Sequence, residues 1–171
     1  MNIPNFLTLV RFLLIPLFVY TFFYVHEGNT YAAVIFILSG ITDILDGYIA
    51  RHYNQVTKIG TLLDPLADKL MILTVLTSLW MKNLIPFFVI AVLMVKEFSM
   101  IIGAAILYKK QEIAIPANNY GKAATLFFYI AIIFSIFKWP YGFTLMIIAL
   151  LLAILAFVIY TLEFYKRNTK N

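Results

Sequence analysis

The chain has 171 residues, of which 63% are hydrophobic, 17% aromatic and only 12% charged, with a formal net charge of +5 and a mean hydropathy of +0.93. That balance excludes a water-soluble globular domain and marks an integral membrane protein. There is no cysteine, which excludes disulfides, thiolate metal sites and cysteine nucleophiles.

At about 20 apolar residues per span, this length accommodates roughly six transmembrane helices as one all-α membrane domain over 1–171. Apolar runs broken by turn residues and charges place the spans near 6–25, 31–52, 61–81, 84–108, 120–137 and 141–164. The first is too long in its apolar stretch for a signal peptide and is expected to be retained. Pro16 lies inside it and is expected to bend it. Pro86 is expected in the first turn of the fourth span and Pro140 just before the sixth, positions where a missing backbone donor does least harm. Trp80 and Trp139 fall near one surface, where indoles commonly anchor.

With a cytoplasmic amino terminus, the inner side collects Arg51, Lys58, Lys109, Lys110, Lys166, Arg167 and Lys170, against Lys82 and Lys138 outside. The positive-inside rule therefore puts both termini in the cytoplasm. The basic balance suits this topology and anionic lipid head groups; no nucleic acid partner is implied. His26 and His52 fall on opposite sides of the membrane and form no common site.

The second and third spans carry the chemistry. Asp43, Asp46, Asp64 and Asp68 are half of the eight acidic residues, and each carboxylate near the hydrocarbon layer costs roughly 2.5–3.5 kcal/mol on insertion scales. A spacing of three on one helix and four on the next projects each pair from one helical face. The short connection between them makes the two helices antiparallel neighbours, so four carboxylates can converge. Hard oxygen ligands of this kind suit two Mg²⁺ ions, or Mn²⁺, and such a pair suits phosphoryl transfer. A purely structural ion-pair cluster is disfavoured because basic partners are few. Gly47, Gly60 and Ala50 keep the walls low for a ligand or neighbouring backbone, and Arg51 offers a guanidinium fork for phosphate. On the first span Asn5, Thr8 and Arg11 form a polar stripe at helical spacing; Arg11 could be a snorkelling anchor, but its position one to two turns inside favours facing a site.

The pattern DxxDGxxARx8GxxxDxxxD is met by Asp43, Asp46, Gly47, Ala50, Arg51, Gly60, Asp64 and Asp68, and it resembles the signature of the CDP-alcohol phosphotransferase family. The resemblance implies a six-helix membrane enzyme, commonly a homodimer, that moves a substituted phosphate from a CDP-linked donor to an alcohol and releases CMP. It implies that the four aspartates hold two metal ions, with Asp68 also the general base, and that Gly47, Arg51, Gly60, Asn5 and Thr8 border the CDP. The opening NIPNFLTLVR resembles bacterial phosphatidylglycerophosphate synthases, which implies CDP-diacylglycerol as donor and glycerol 3-phosphate as acceptor. Lys96, Lys122 and Arg11 are then the expected acceptor-phosphate residues, although Lys96 could instead pair with Glu97. Lysine stands at 96 where those synthases carry arginine, and Ile113 to Thr125 resembles the CDP-diacylglycerol type of cardiolipin synthase, which implies phosphatidylglycerol as the alternative acceptor. Outside the family, a divalent cation transporter could also hold intramembrane carboxylates; a prenyltransferase or a non-enzymatic subunit fits the motif less well.

Overall fold

A computed structural model describes residues 2–53, 57, 60–109 and 119–168. Among them the chain is all-α: α1 (Ile3–Tyr24), α2 (Gly28–His52), α3 (Gly60–Met81), α4 (Phe87–Lys109), α5 (Asn119–Ile136) and α6 (Gly142–Asn168). Three stretches, Ile3–Tyr24, Gly28–Ala50 and Gly142–Leu162, are long and apolar enough to cross a membrane. The helices group into two compact units, Met1–Leu84 and Ile85–Asn171, where the sequence suggests one domain.

Helix ends follow local chemistry. Asn2 precedes α1, and Pro4 sits in its first turn, which lets the helix begin earlier than the apolar run alone suggests. The helix then continues through Pro16. Pro86 lies immediately before α4 rather than in its first turn, and its carbonyl accepts the Val89 N–H at 3.2 Å. After α3, Asn83 turns left-handed at φ 57°; its N–H donates to Trp80 O at 2.8 Å, and the Leu84 N–H donates to Leu79 O at 2.9 Å. These paired bonds close a helix end by satisfying its orphan carbonyls. Lys138 (φ 54°) and Trp139 repeat the device after α5, bonding to Ser135 O at 3.1 Å and Phe134 O at 2.9 Å.

In the first unit α1 packs along both α2 and α3, while α2 and α3 touch each other less. The acidic helices are therefore bridged by α1 rather than packed mainly on one another. Their directions follow from the contacts. Thr8 meets Asp64, and Lys82 Nζ donates to Phe22 O at 2.5 Å while lying 3.9 Å from the Phe22 ring centroid; α1 and α3 thus run the same way. At the α1–α2 turn, any Cβ on Gly28 would fall 1.9 Å from Thr21 O, so only glycine lets the chain reverse so tightly.

The faces of α1 are inverted relative to a soluble amphipathic helix. Thr8, Arg11, Phe18 and Phe22 are buried, whereas Phe6, Leu9, Leu13, Leu17, Tyr20 and Tyr24 are exposed. An apolar stripe facing outward, with polar side chains turned inward at Thr8 and Arg11 and phenylalanines farther along, is the pattern that lipid as solvent selects.

The second unit has its own logic. On α6, Ala149, Ala153 and Ala156 are buried, as are Ala124 and Ala131 on α5, and small side chains of this kind let membrane helices approach closely. Leu151, Ile154, Leu155 and Val158 face outward. Overpacking a close-packed interior costs about 1–3 kcal/mol. Ala149→Leu is therefore expected to lower the thermal midpoint of the detergent-solubilised protein by several degrees, whereas Leu151→Ala, at a site 60% exposed, leaves it unchanged; size-exclusion profiles after graded heating measure both.

Candidate active site

The site is built on the inward face of α1. Thr8 and Arg11 are three residues apart and project from one side of the helix, and both are enclosed, with Arg11 fully buried. Arg11 occupies the centre. Its Nη1 donates to Asp43 Oδ1 at 2.5 Å and to the Asp64 backbone carbonyl at 3.4 Å. Its Nη2 donates to Asp46 Oδ2 and lies 3.7 Å from Asp64 Oδ1. The Thr8 hydroxyl is shared between the Pro4 carbonyl at 3.1 Å and Asp64 Oδ1.

Three of the four expected aspartates, two from α2 and one from α3, thus converge on one guanidinium. Asp68 lies one turn beyond Asp64 on α3 and is half-buried. The reading that basic partners are too few for an ion-pair cluster needs correction: one planar guanidinium, with donors on several edges, serves three carboxylates at once. The signal was present in the sequence as a charge deep in an apolar span, which requires a buried partner.

The cluster is asymmetric. Asp46 is 2% exposed beside Arg11, but the Asp43 and Asp64 side chains are 40% and 29% exposed, so the cluster is open on the Asp43 and Asp64 side. Three carboxylates against one guanidinium leave two formal negative charges in surplus when all are ionised. Oxygen donors carrying such a surplus suit Mg²⁺ or Mn²⁺, so the donor chemistry fits the expected ions. Among the described residues, no three acidic or histidine side chains are arranged to hold a metal ion. Arg11 stands at their meeting point.

Beneath this cluster a second network ties α1 to the start of α3. The Thr57 hydroxyl donates to Asn5 Oδ1 at 3.0 Å and accepts the Gly60 N–H at 2.9 Å. A Cβ at Gly60 would lie 2.8 Å from Asn5 Oδ1 and 2.9 Å from Thr57 Oγ1, so the close approach that glycine permits here is that of two polar side chains. Thr57 was not anticipated from the sequence; its role depends on a contact with a residue 52 positions away. Gly47 is half-buried on α2 next to Asp46. Arg51 belongs to α2, one turn on, and its side chain lies outside the described residues.

The expected acceptor-phosphate lysines lie in the second unit. Lys96 Nζ pairs with Glu97 Oε1 at 2.7 Å, and Lys122 is exposed near the start of α5. Lys110 and residues 113–118 of the Ile113 to Thr125 stretch are outside the described residues.

Comparisons with known proteins agree on one lineage. The family model for CDP-alcohol phosphatidyltransferase matches residues 1–155 and so runs across both units. A cardiolipin synthase (CMP-forming) of Streptomyces coelicolor is 35% identical over 129 residues, which are 73% of this chain and 60% of that protein. A CDP-diacylglycerol--glycerol-3-phosphate 3-phosphatidyltransferase of Rickettsia bellii is 35% identical over 126 residues, 72% of this chain and 68% of the relative. Its counterpart from Rickettsia felis is 34% identical over 125 residues, with 72% and 68% covered. With the family model covering most of its length, and with the aspartate motif gathered around Arg11, the chain belongs to the CDP-alcohol phosphatidyltransferase family.

Proposed function

We propose that this chain transfers the phosphatidyl group of CDP-diacylglycerol to glycerol 3-phosphate and releases CMP, as a step in phospholipid biosynthesis. The observation that carries the reading is the convergence of Asp43, Asp46 and Asp64 on Arg11, with Asp43 and Asp64 partly open. Family membership supports the transferase chemistry, and the Rickettsia relatives support this donor and acceptor by their names. A cation-transporter reading has no comparable support.

Asp43, Asp46, Asp64 and Asp68 would hold two divalent ions, Mg²⁺ or Mn²⁺, which when bound supply the positive charge that neutralises the diphosphate and its leaving oxygen. Gly47 keeps side-chain bulk away from the nucleotide, Gly60 borders it through the Asn5 and Thr57 side chains that its missing Cβ admits, and Arg51, one turn beyond Gly47, contributes a fork for phosphate oxygens. Asn5 and Thr8 border the nucleotide through the α1 network. Asp68 takes the proton of the acceptor hydroxyl onto a carboxylate oxygen. The freed hydroxyl oxygen bonds to the phosphorus carrying the diacylglycerol, the bond from that phosphorus to the CMP oxygen breaks, and CMP leaves. Of the residues expected to hold the acceptor's own phosphate, Arg11 would reach it only by leaving its carboxylates and Lys96 only by leaving Glu97, whereas Lys122 is exposed.

The two helical units act as one membrane-embedded domain in this reading, for which the continuous family match is the support. All six helices lie in the bilayer, with both termini and the site on the cytoplasmic side, as the distribution of basic residues favours. The outward apolar faces of α1 and α2 let the acyl chains remain among lipids, and part of the exposed surface serves a homodimer.

A second reading has its own observation. The similarity to the Streptomyces cardiolipin synthase, with lysine at 96 pairing to Glu97, favours phosphatidylglycerol as acceptor. Purified protein given CDP-diacylglycerol, Mg²⁺ and either acceptor separates the two: CMP release with glycerol 3-phosphate is expected, and release with phosphatidylglycerol alone would replace the first reading by the second. Asp68→Asn is expected to lower turnover by about 10²–10⁴-fold, the usual contribution of a positioned general base, while its thermal midpoint matches the parent; undiminished CMP release would remove Asp68 from that role.

A further inference from the structure

The guanidinium of Arg11 is held through its two terminal nitrogens alone. It is fully buried and engages Asp43, Asp46 and Asp64, yet its Nε–H is enclosed with no hydrogen-bond partner among the described residues. A buried donor left unmade costs about 1–3 kcal/mol. The grip on the carboxylates is also uneven, since the Asp64 oxygen is 3.7 Å away and is bonded by Thr8 instead. Asp43 and Asp64 are both partly open, so a small cation can reach them without the helices separating.

We propose that Arg11 is a resident counter-cation that competes with divalent ions for the same aspartates, and that metal loading displaces it from them. The inference rests on the proposed metal-dependent reading of the site. Its physical basis is charge balance. Without any cation, three carboxylates held together in an apolar unit repel one another and lose hydration, which is strongly unfavourable. Arg11 compensates part of that charge and keeps α2 and α3 on α1. A divalent ion that binds the carboxylates must release Arg11 from them, and linkage requires that each occupant weaken the other. Thr8, which bonds Asp64 from the same helical face, keeps that carboxylate oriented during the exchange. Arg11 is accordingly a positioning residue that sets metal affinity and holds the unit together before the ions arrive.

The competition predicts a sign that a supporting role does not share. Were Arg11 to orient the aspartates for metal while staying in place, its loss would weaken metal binding. Were it a competitor, its loss would strengthen it. Arg11→Met keeps a long apolar stem and removes the charge, and Arg11→Lys keeps the charge but loses the fork that grips two carboxylates. Mn²⁺ binding to the detergent-solubilised full chain, followed by the electron paramagnetic resonance signal of the free ion, is expected to tighten about tenfold in Arg11→Met and by less in Arg11→Lys. In parallel, chelator-treated Arg11→Met is expected to melt well below the parent, with saturating Mn²⁺ raising its midpoint more than the parent's. Equal or weaker Mn²⁺ binding by both variants overturns the proposal while leaving the metal site intact. Absence of saturable Mn²⁺ binding in the parent and both variants instead removes the metal reading, and the proposal with it. If Arg11→Met does not fold even with Mn²⁺, the sign of the change in Arg11→Lys decides.

Discussion

A single guanidinium shared by three carboxylates from two helices is the constraint around which the first unit is organised. Arg11 is buried with Asp46, and removing one partner of a buried ion pair typically costs about 3–5 kcal/mol because the remaining charge stays enclosed. The interaction fixes the rotation of α1, since Arg11 must face inward. It also fixes which face of α2 and which end of α3 are turned toward α1, since Asp43, Asp46 and Asp64 all have to reach the same point. The apolar residues then fall outward on α1 as a consequence of the same rotation.

That arrangement joins folding to chemistry. A charge cluster placed in a lipid-facing unit carries a large desolvation cost, and a protein without a use for it would be more stable with a packed apolar centre. Here the cluster is partly closed by Arg11 and Asp46 and partly open at Asp43 and Asp64. The closed part gives cohesion, and the open part gives access. The Asn5–Thr57–Gly60 network holds the beginning of α3 against α1 one turn away from Asp64, so Asp64 is positioned from α1 both directly, by Thr8 and Arg11, and through the start of its helix.

Much of this was legible in the residues. Composition set the class, the breaks in apolar sequence located six helices to within a few residues, and the spacing of the aspartates put Asp43 and Asp46 on a common face of α2. Helix starts were less legible where capping decides them: α1 begins at Ile3 because Pro4 is compatible with a first turn, and α4 begins after Pro86 rather than around it. Least legible was what depends on contacts distant in sequence. Arg11 was recognised as facing a site, but its role as the shared partner of three carboxylates required knowing that α1 lies between α2 and α3. Gly60 was read as room for a ligand or a backbone, and the groups that fill the space are the Asn5 and Thr57 side chains. Lys96 carries its nearest counter-charge on the adjacent residue, Glu97, a pairing visible in the sequence itself.

In the proposed reaction, the carboxylates gathered around Arg11 hold divalent ions against the diphosphate of a cytidine nucleotide. The most direct measurement is the hyperfine coupling between bound Mn²⁺ and the phosphorus nuclei of CDP, recorded by pulsed electron paramagnetic resonance on the solubilised protein. A phosphorus coupling in the parent that disappears in Asp43→Asn and Asp64→Asn is the predicted result. A coupling of the same size in the parent and both variants would place the ion and the nucleotide elsewhere and contradict the account.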